Sequence, residues 1–135
     1  MAFTGPVEDR LAIRELYGTY SGAGFAGDRE AWLDCWADDP IWITPAGEGE
    51  GVEALKVIWD GLWSAIKVMA FSAEITAIQV DWNFATSCAY CREVSNWKDG
   101  KTVRIIGRYD DELVKQGGKW RFKRRRFTMH IDEGA

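Results

Sequence analysis

The chain has 135 residues, 47% hydrophobic and 28% charged, with a net charge of −4, a composition that suits one globular domain over residues 1–135 and rules out general disorder. The acidic balance argues against nucleic acid as a partner, because phosphate binding is driven by an excess of Lys and Arg, and no apolar run approaches the roughly 20 residues of a membrane span. Three cysteines and no visible secretory leader predict a reduced, cytoplasmic protein. Eight Trp, six Phe and four Tyr are more than so small a core needs, and such a surplus predicts a walled cavity or an interface.

From Val7 to about Ala26, the apolar residues Ile13, Leu16, Tyr17 and Tyr20 follow helical spacing. Gly22, Gly24 and Gly27 weaken the far end, and Asp28 is placed to cap a second, short helix. That helix carries Trp32, Cys35 and Trp36 and ends before Pro40. Ile41 to Thr44 reads as a short strand, and Gly47 to Gly51 as a turn. Val52, Leu55, Trp59, Leu62 and Ile66 step by three and four, the mark of an amphipathic helix.

Beyond Lys67 the pattern becomes β-rich. Met69 to Trp82, Phe84 to Trp97, Val103 to Lys115 and Lys119 to Ile131 read as strands, divided by turn signals at Trp82-Asn83, Lys98-Asp99-Gly100 and Gln116-Gly117-Gly118. Helices followed by an antiparallel meander predict an α+β fold. A curved sheet wrapped on the long helix leaves a cone-shaped interior.

Within the third β-rich stretch, Val103, Ile105, Gly107, Tyr109 and Leu113 make one apolar face. In the last stretch the apolar phase flips: Trp120 and Phe122 are even, whereas Phe127, Met129 and Ile131 are odd. A bulge, or a change in which face is covered, is therefore expected between Lys123 and Arg126. Arg125 falls where the odd set turns apolar and needs an acceptor there. Glu93 is the candidate partner. Pointing inward, it would present a carboxylate to a ligand, and an apolar wall would raise its pKa into the range of a useful base. The alternative is a Glu93 that faces solvent or pairs with a surface Lys.

Other sequence features point to no site. His130, near the end of the last strand, reads as an exposed or interface residue more than a catalytic one. The basic run Lys123 to Arg126 would split between two strand faces, and a solvated or oligomer-edge segment fits it best. Cys88 and Cys91 would point to opposite faces, with no second pair to complete a metal site. Asp38-Asp39 reads as helix-end and turn chemistry. Gly47 to Gly51 lacks the Lys and Ser/Thr of a phosphate loop.

Four segments, "IRELYGTYSGAGFAGDREAW" (Ile13 to Trp32), "ADDPIW" (Ala37 to Trp42), "GRYDDEL" (Gly107 to Leu113) and "GKWRFKRRRFT" (Gly118 to Thr128), resemble in order and spacing the SnoaL-like branch of the NTF2-like, cystatin-like superfamily. The resemblance implies an α+β cone with an enclosed pocket. Enzymes of that family, among them scytalone dehydratase and hexachlorocyclohexane dehydrochlorinase, use an Asp late in the first helix and a His on the first long strand. The matching positions here are Phe25 and Phe71, which transfer no proton and, as part of the pocket wall, would make the pocket narrower and drier. The dehydrochlorinase's Lys on the first helix falls at Tyr20, and the family's pocket Arg at Arg125. By the same resemblance Trp42, Leu62, Ile66, Met69, Ile105, Tyr109, Phe127 and Met129 wall the pocket. Cys91 and Glu93 face inward from the neighbouring strand.

The leading expectation is a protein that binds a small hydrophobic or aromatic molecule without metal or cofactor. Tyr20, Arg125 and Glu93 would orient the ligand, and the chain would form a homodimer through its sheet. Two alternatives stay open. One is a cofactor-independent lyase or isomerase, with Glu93 as base and Arg125 and Tyr20 stabilising an oxyanion. The other is a homo-oligomeric interaction module whose interior is filled by its own side chains.

Overall fold

A two-residue strand, β1 (Phe3–Thr4), precedes the first helix, α1 (Val7–Ala26), in the computed structural model, which describes residues 2–133. α1 buries Ile13, Tyr17, Tyr20, Ala23 and Gly24, a stripe at helical spacing. Gly27, at φ 67°, closes it with its N–H on the carbonyls of Ala23 and Gly24. The Asp28 carboxylate then accepts from the Ala31 N–H at 3.1 Å and starts α2 (Arg29–Asp34).

α2 is shorter than the spacing predicts. Trp36 opens strand β2 (Trp36–Thr44) instead of closing the helix. Pairing decides this, because Trp36 lies opposite Phe122 of the last strand and the Phe122 N–H donates to the Cys35 carbonyl at 2.8 Å. Pro40 is accommodated inside β2 because the register there is irregular and Asp39 takes a φ of 51°. Gly47–Glu50 is also strand, not turn: it forms β3, antiparallel to β2 about Pro45-Ala46. Gly49 packs closely there: a Cβ would meet Ile58 Cδ1 at 2.6 Å, and that side-chain end would have to shift.

Helix α3 (Val52–Ala65) buries Leu55 and Trp59, and Ile66 leaves it in extended conformation. Four long strands follow: β4 (Ile66–Asp81), β5 (Phe84–Trp97), β6 (Thr102–Gln116) and β7 (Lys119–Glu133). The sheet order is β1-β4-β5-β6-β7-β2-β3, with β1 parallel to β4, β2 parallel to β7 and the other neighbours antiparallel. The result is an α+β fold, an open, curved sheet of seven strands with the helices packed on it.

The phase flip in the last strand has a specific origin. Leu113 pairs with Phe122 but Glu112 pairs with Arg124, so Lys123 is an extra residue in β7. The bulge lets Phe122 and Arg125, three positions apart, both point into the interior, where each is 0% exposed. A second bulge leaves His130 unpaired between Met129 and Ile131.

Candidate functional site

Between α3 and the sheet lies a cavity of about 640 Å³. Its wall follows from strand alternation and register. Phe71, Glu93 and Ile105 are direct neighbours across β4, β5 and β6, so one row of side chains faces the cavity. Cys91, Gly107 and Met129 form the next row. Gly107 matters because a Cβ there would meet Phe127 Cζ at 2.3 Å, and its absence lets the Phe127 ring lie over the strand. Trp42 from β2, Leu62 from α3, Ile66 and Met69 from β4, and Tyr109 from β6 complete the apolar wall. Glu48 stands exposed at the rim.

Deeper in, the three helices and the sheet enclose a smaller chamber of about 50 Å³. Tyr20 and Gly24 of α1, Trp32 of α2, and Trp59 and Trp63 of α3 line it. Trp42, Leu62, Met69, Phe71, Glu93 and Tyr109 are common to both spaces. Tyr20 thus belongs to the inner chamber and not to the main cavity.

Phe25 belongs to neither, which corrects its expected place in the pocket wall: it is 64% exposed. The buried stripe of α1 runs through Tyr20 and Gly24, and the next residue on a helix points roughly 100° away. Stepping by four from Tyr20 would have found Gly24.

The expected pairing of Arg125 with Glu93 is also overturned. Arg125 Nε donates to Asp111 Oδ1 at 2.8 Å and Nη2 donates to Oδ2 at 3.0 Å, with both side chains fully buried. The Tyr17 hydroxyl donates to the same carboxylate and lies 2.8 Å from Ser87 Oγ. The guanidinium carbon sits 3.8 Å from the ring centroid of Tyr109, 4.0 Å from that of Phe122 and 4.5 Å from that of Tyr20. Arg125 lines neither space. It lies behind Tyr109 and Tyr20, and reaches a ligand only through them. Asp111 was the missed residue, and parity marks it, since it belongs to the same odd set as Tyr109 and Leu113.

The electrostatics follow from burial. It pushes the Asp111 carboxyl up, against the charge and hydrogen bonds of Arg125. Burial alone would lower Arg125, but Asp111 and the surrounding tyrosines outweigh it and hold the guanidinium charged. The Tyr17, Tyr20 and Tyr109 phenols are raised, chiefly by burial, and burial pushes the Cys91 thiol up to about 11. Glu93 differs from every other charged group near the cavity. Burial raises its carboxyl, and it has no ion-pair or hydrogen-bond partner among the described residues.

His130, the basic run and Cys88 lie away from the cavity. His130 is exposed and meets Tyr90, with ring centroids 6.4 Å apart. The basic run is dispersed: Lys123 Nζ donates to the Asp38 carbonyl at 2.8 Å, Arg124 pairs with Glu112 at 3.3 Å, and Arg125 is internal. Cys88 and Cys91 are free thiols. Among the described residues no three His, Cys, Asp or Glu side chains are grouped to hold a metal, and no helix is long and apolar enough to cross a membrane.

The family described as SnoaL-like domain matches residues 6–126. No curated protein matches the chain at a significant level. Among solved structures, a protein of Novosphingobium aromaticivorans provisionally named an aromatic ring hydroxylase superposes with a TM-score of 0.92 at 22% identity, covering 98% of this chain and 96% of that one. A second protein of that organism, provisionally named a scytalone dehydratase, gives 0.89 at 20% identity over 96% of this chain and 89% of its own. The hexachlorocyclohexane dehydrochlorinase LinA-type3 of Novosphingobium barchaimii gives 0.80 at 17% identity, over 96% and 91% of the two chains. At these identities the likeness is one of fold.

Proposed function

We propose that this chain, which belongs to the SnoaL-like domain family, binds one small hydrophobic or aromatic molecule in the cavity beneath α3. The observation that carries the reading is a cavity of about 640 Å³ walled by apolar and aromatic side chains around a single unpartnered, half-buried carboxyl, Glu93. That size and lining suit a small-molecule site. Burial of a flat apolar ligand contributes roughly 25 cal/mol per Å² of surface removed from water. Native mass spectrometry of the purified protein, followed by denaturing extraction, tests it. The expected result is a stoichiometric small molecule, or saturable binding from a panel of aromatic compounds that Leu62→Trp abolishes without loss of folding. Unaltered binding in Leu62→Trp would place the ligand elsewhere. No binding across the panel would leave an interaction module.

Glu93 itself favours a second reading, a cofactor-independent lyase or isomerase. An unpaired carboxyl raised by burial is suited to take a proton from carbon next to a carbonyl. Structural neighbours named for a dehydratase and a dehydrochlorinase support proton abstraction as a class. Tyr20 would face the developing oxyanion from the inner chamber, and Arg125 would act at one remove by holding Tyr20 and Tyr109. Turnover lost in Glu93→Gln with folding and binding intact supports this chemistry; turnover retained in that variant removes it.

Self-association through the outer sheet face belongs to the same proposal. Val68, Val94, Ile106 and Ile131 are each exposed by more than a third on that face, and Ile106 and Ile131 are register partners. A dimer mass by light scattering, reduced to a monomer in Ile106→Lys, is the expected result. Three free thiols support a reducing compartment, the cytoplasm.

A further inference from the structure

The carboxylates of this fold are answered by its own bases, with one exception. Among the described residues, four acids are buried or half-buried: Asp9, Glu93, Asp111 and Glu112. Asp9 pairs with Lys115 at 3.1 Å, Asp111 with Arg125 at 2.8 Å and Glu112 with Arg124 at 3.3 Å. Glu93 has no such partner, and desolvation is what acts on its carboxyl. An acid removed from water without a counter-charge is costly unless something else supplies one.

The neighbours of Glu93 fix where it points. Its register partners, Phe71 on β4 and Ile105 on β6, line the main cavity, and so do Cys91 and Ser95, two places before and after it on β5. Its oxygens are also open to contact: the unpaired side-chain atoms sealed inside the described residues are the indole nitrogens of Trp36, Trp42 and Trp63 and Arg125 Nη1, with no Glu93 oxygen among them. We propose that Glu93 is the counter-ion for a protonated amine, whose ammonium nitrogen donates to the carboxylate while its apolar body fills the main cavity. The inference rests on the cavity being a binding site and adds the class of ligand.

Charge ranks the competing classes. No Lys or Arg lines the cavity or the inner chamber, and the charged side chains that do are Glu48, at the rim, and Glu93. An anionic ligand would meet both with nothing to offset them. A neutral alcohol would satisfy one Glu93 oxygen and leave the charge unanswered. An ammonium supplies the counter-charge together with its N–H donors, and such charge-assisted hydrogen bonds are the stronger kind. The nearby Cys91 thiol and Tyr109 phenol, both pushed up by burial, stay neutral and offer no competing charge. Burial also raises the Glu93 carboxyl, and a cation against it favours the ionised form again. The wall suits a cation as well, since Trp42, Phe71, Tyr109 and Phe127 belong to it and aromatic rings carry partial negative charge on their faces.

Four probes that share a phenyl ring and a short chain test this: 2-phenylethylamine, 2-phenylethanol, propylbenzene and phenylacetate. At about pH 7 the amine is a cation and phenylacetate an anion. Each is titrated calorimetrically into the native protein, into Glu93→Gln and into Leu62→Trp. The amine is expected to bind the native protein about tenfold more tightly than the alcohol or the hydrocarbon, the worth of one charge-assisted hydrogen bond, and phenylacetate to bind most weakly. Glu93→Gln should erase the amine's advantage while propylbenzene affinity stays within about threefold. Leu62→Trp, which fills the main cavity, should abolish binding of all four. The ranking on the native protein stands as a readout even if a variant fails to fold. Alcohol or hydrocarbon binding as tightly as the amine, or an amine preference that survives Glu93→Gln, would overturn the ammonium assignment while leaving a binding cavity. Amine binding that survives Leu62→Trp would overturn it too, by placing the cation on the acidic surface. No binding by any of the four would overturn the assignment and the binding reading together.

Discussion

Asp111 and Arg125 are register partners across β6 and β7, and their side chains meet in a two-point ion pair at 2.8 and 3.0 Å with neither exposed. The pair sits behind the aromatic wall of the site. Tyr17 ties its carboxylate to α1, while Tyr109 and Tyr20 lie against its guanidinium. A charge pair so placed contributes less to net stability than its geometry suggests, because both ions give up their hydration. Breaking it is another matter.

Asp111→Ala leaves Arg125 charged and uncompensated in the core. The expected loss is about 3–5 kcal/mol in urea unfolding. Asp111→Asn keeps the shape and loses the charge, and it should fall between the alanine variant and the native protein. Native-like stability for Asp111→Ala would mean that Arg125 finds another anion or reaches solvent.

Tyr17→Phe removes one hydroxyl that serves both Asp111 and Ser87. The ring contact with Phe122, at a centroid distance of 5.2 Å, remains. A loss of about 1–2 kcal/mol is expected, with the near-ultraviolet circular dichroism of the aromatic core unchanged. A collapse of that spectrum would show that the hydroxyl orders the core and does more than stabilise it.

Glu93 predicts a pH dependence of a definite sign. Its carboxyl is raised in the folded protein, which therefore binds this proton more tightly than the unfolded chain does. The stabilising contribution is full below the ordinary carboxyl pKa and is lost as pH rises through the raised folded value. Glu93→Gln has no such loss. Urea midpoints of the two proteins should coincide near about pH 4 and diverge toward about pH 7, with the Gln variant the more stable. A wild type that gains on the variant as pH rises would mean that the ionised Glu93 has found a partner.

Gly107→Ala places a Cβ against Phe127 at 2.3 Å and against the Thr128 carbonyl at 2.7 Å. The backbone oxygen yields little, so the ring must move into the cavity. The expected cost is about 1–3 kcal/mol, with weaker binding of any ligand that fills the main cavity. Calorimetric titration with an aromatic compound that binds the native protein checks the second effect, and unchanged affinity would place the ligand away from Phe127.

Much of the fold was legible because it is periodic. The stripe on α1, the step of three and four on α3 and the alternation in the four long strands appear directly in the residue order. The phase flip before Arg126 marks a bulge that the structure places at Lys123. The short second helix was overextended because Trp36 is equally apolar in helix and strand, and only its pairing with Phe122 decides. Gly47–Glu50 was read as a turn because a glycine-rich strand has few side chains to alternate.

The amino-acid order by itself determined which faces are apolar and where the backbone turns, since these depend on neighbours within a few residues. It also determined that a buried Arg would need an acceptor. Only the tertiary structure decided which acceptor that is: β7 lies beside β6 and not beside β5, which carries Glu93, and the one extra residue in β7 sets Asp111 directly opposite Arg125. It likewise turned Phe25 outward and left the indole N–H groups of Trp36, Trp42 and Trp63 buried without an acceptor among the described residues. Tyr17 and Asp111 are 94 positions apart. No local pattern links residues so distant; packing the helix onto the curved sheet does.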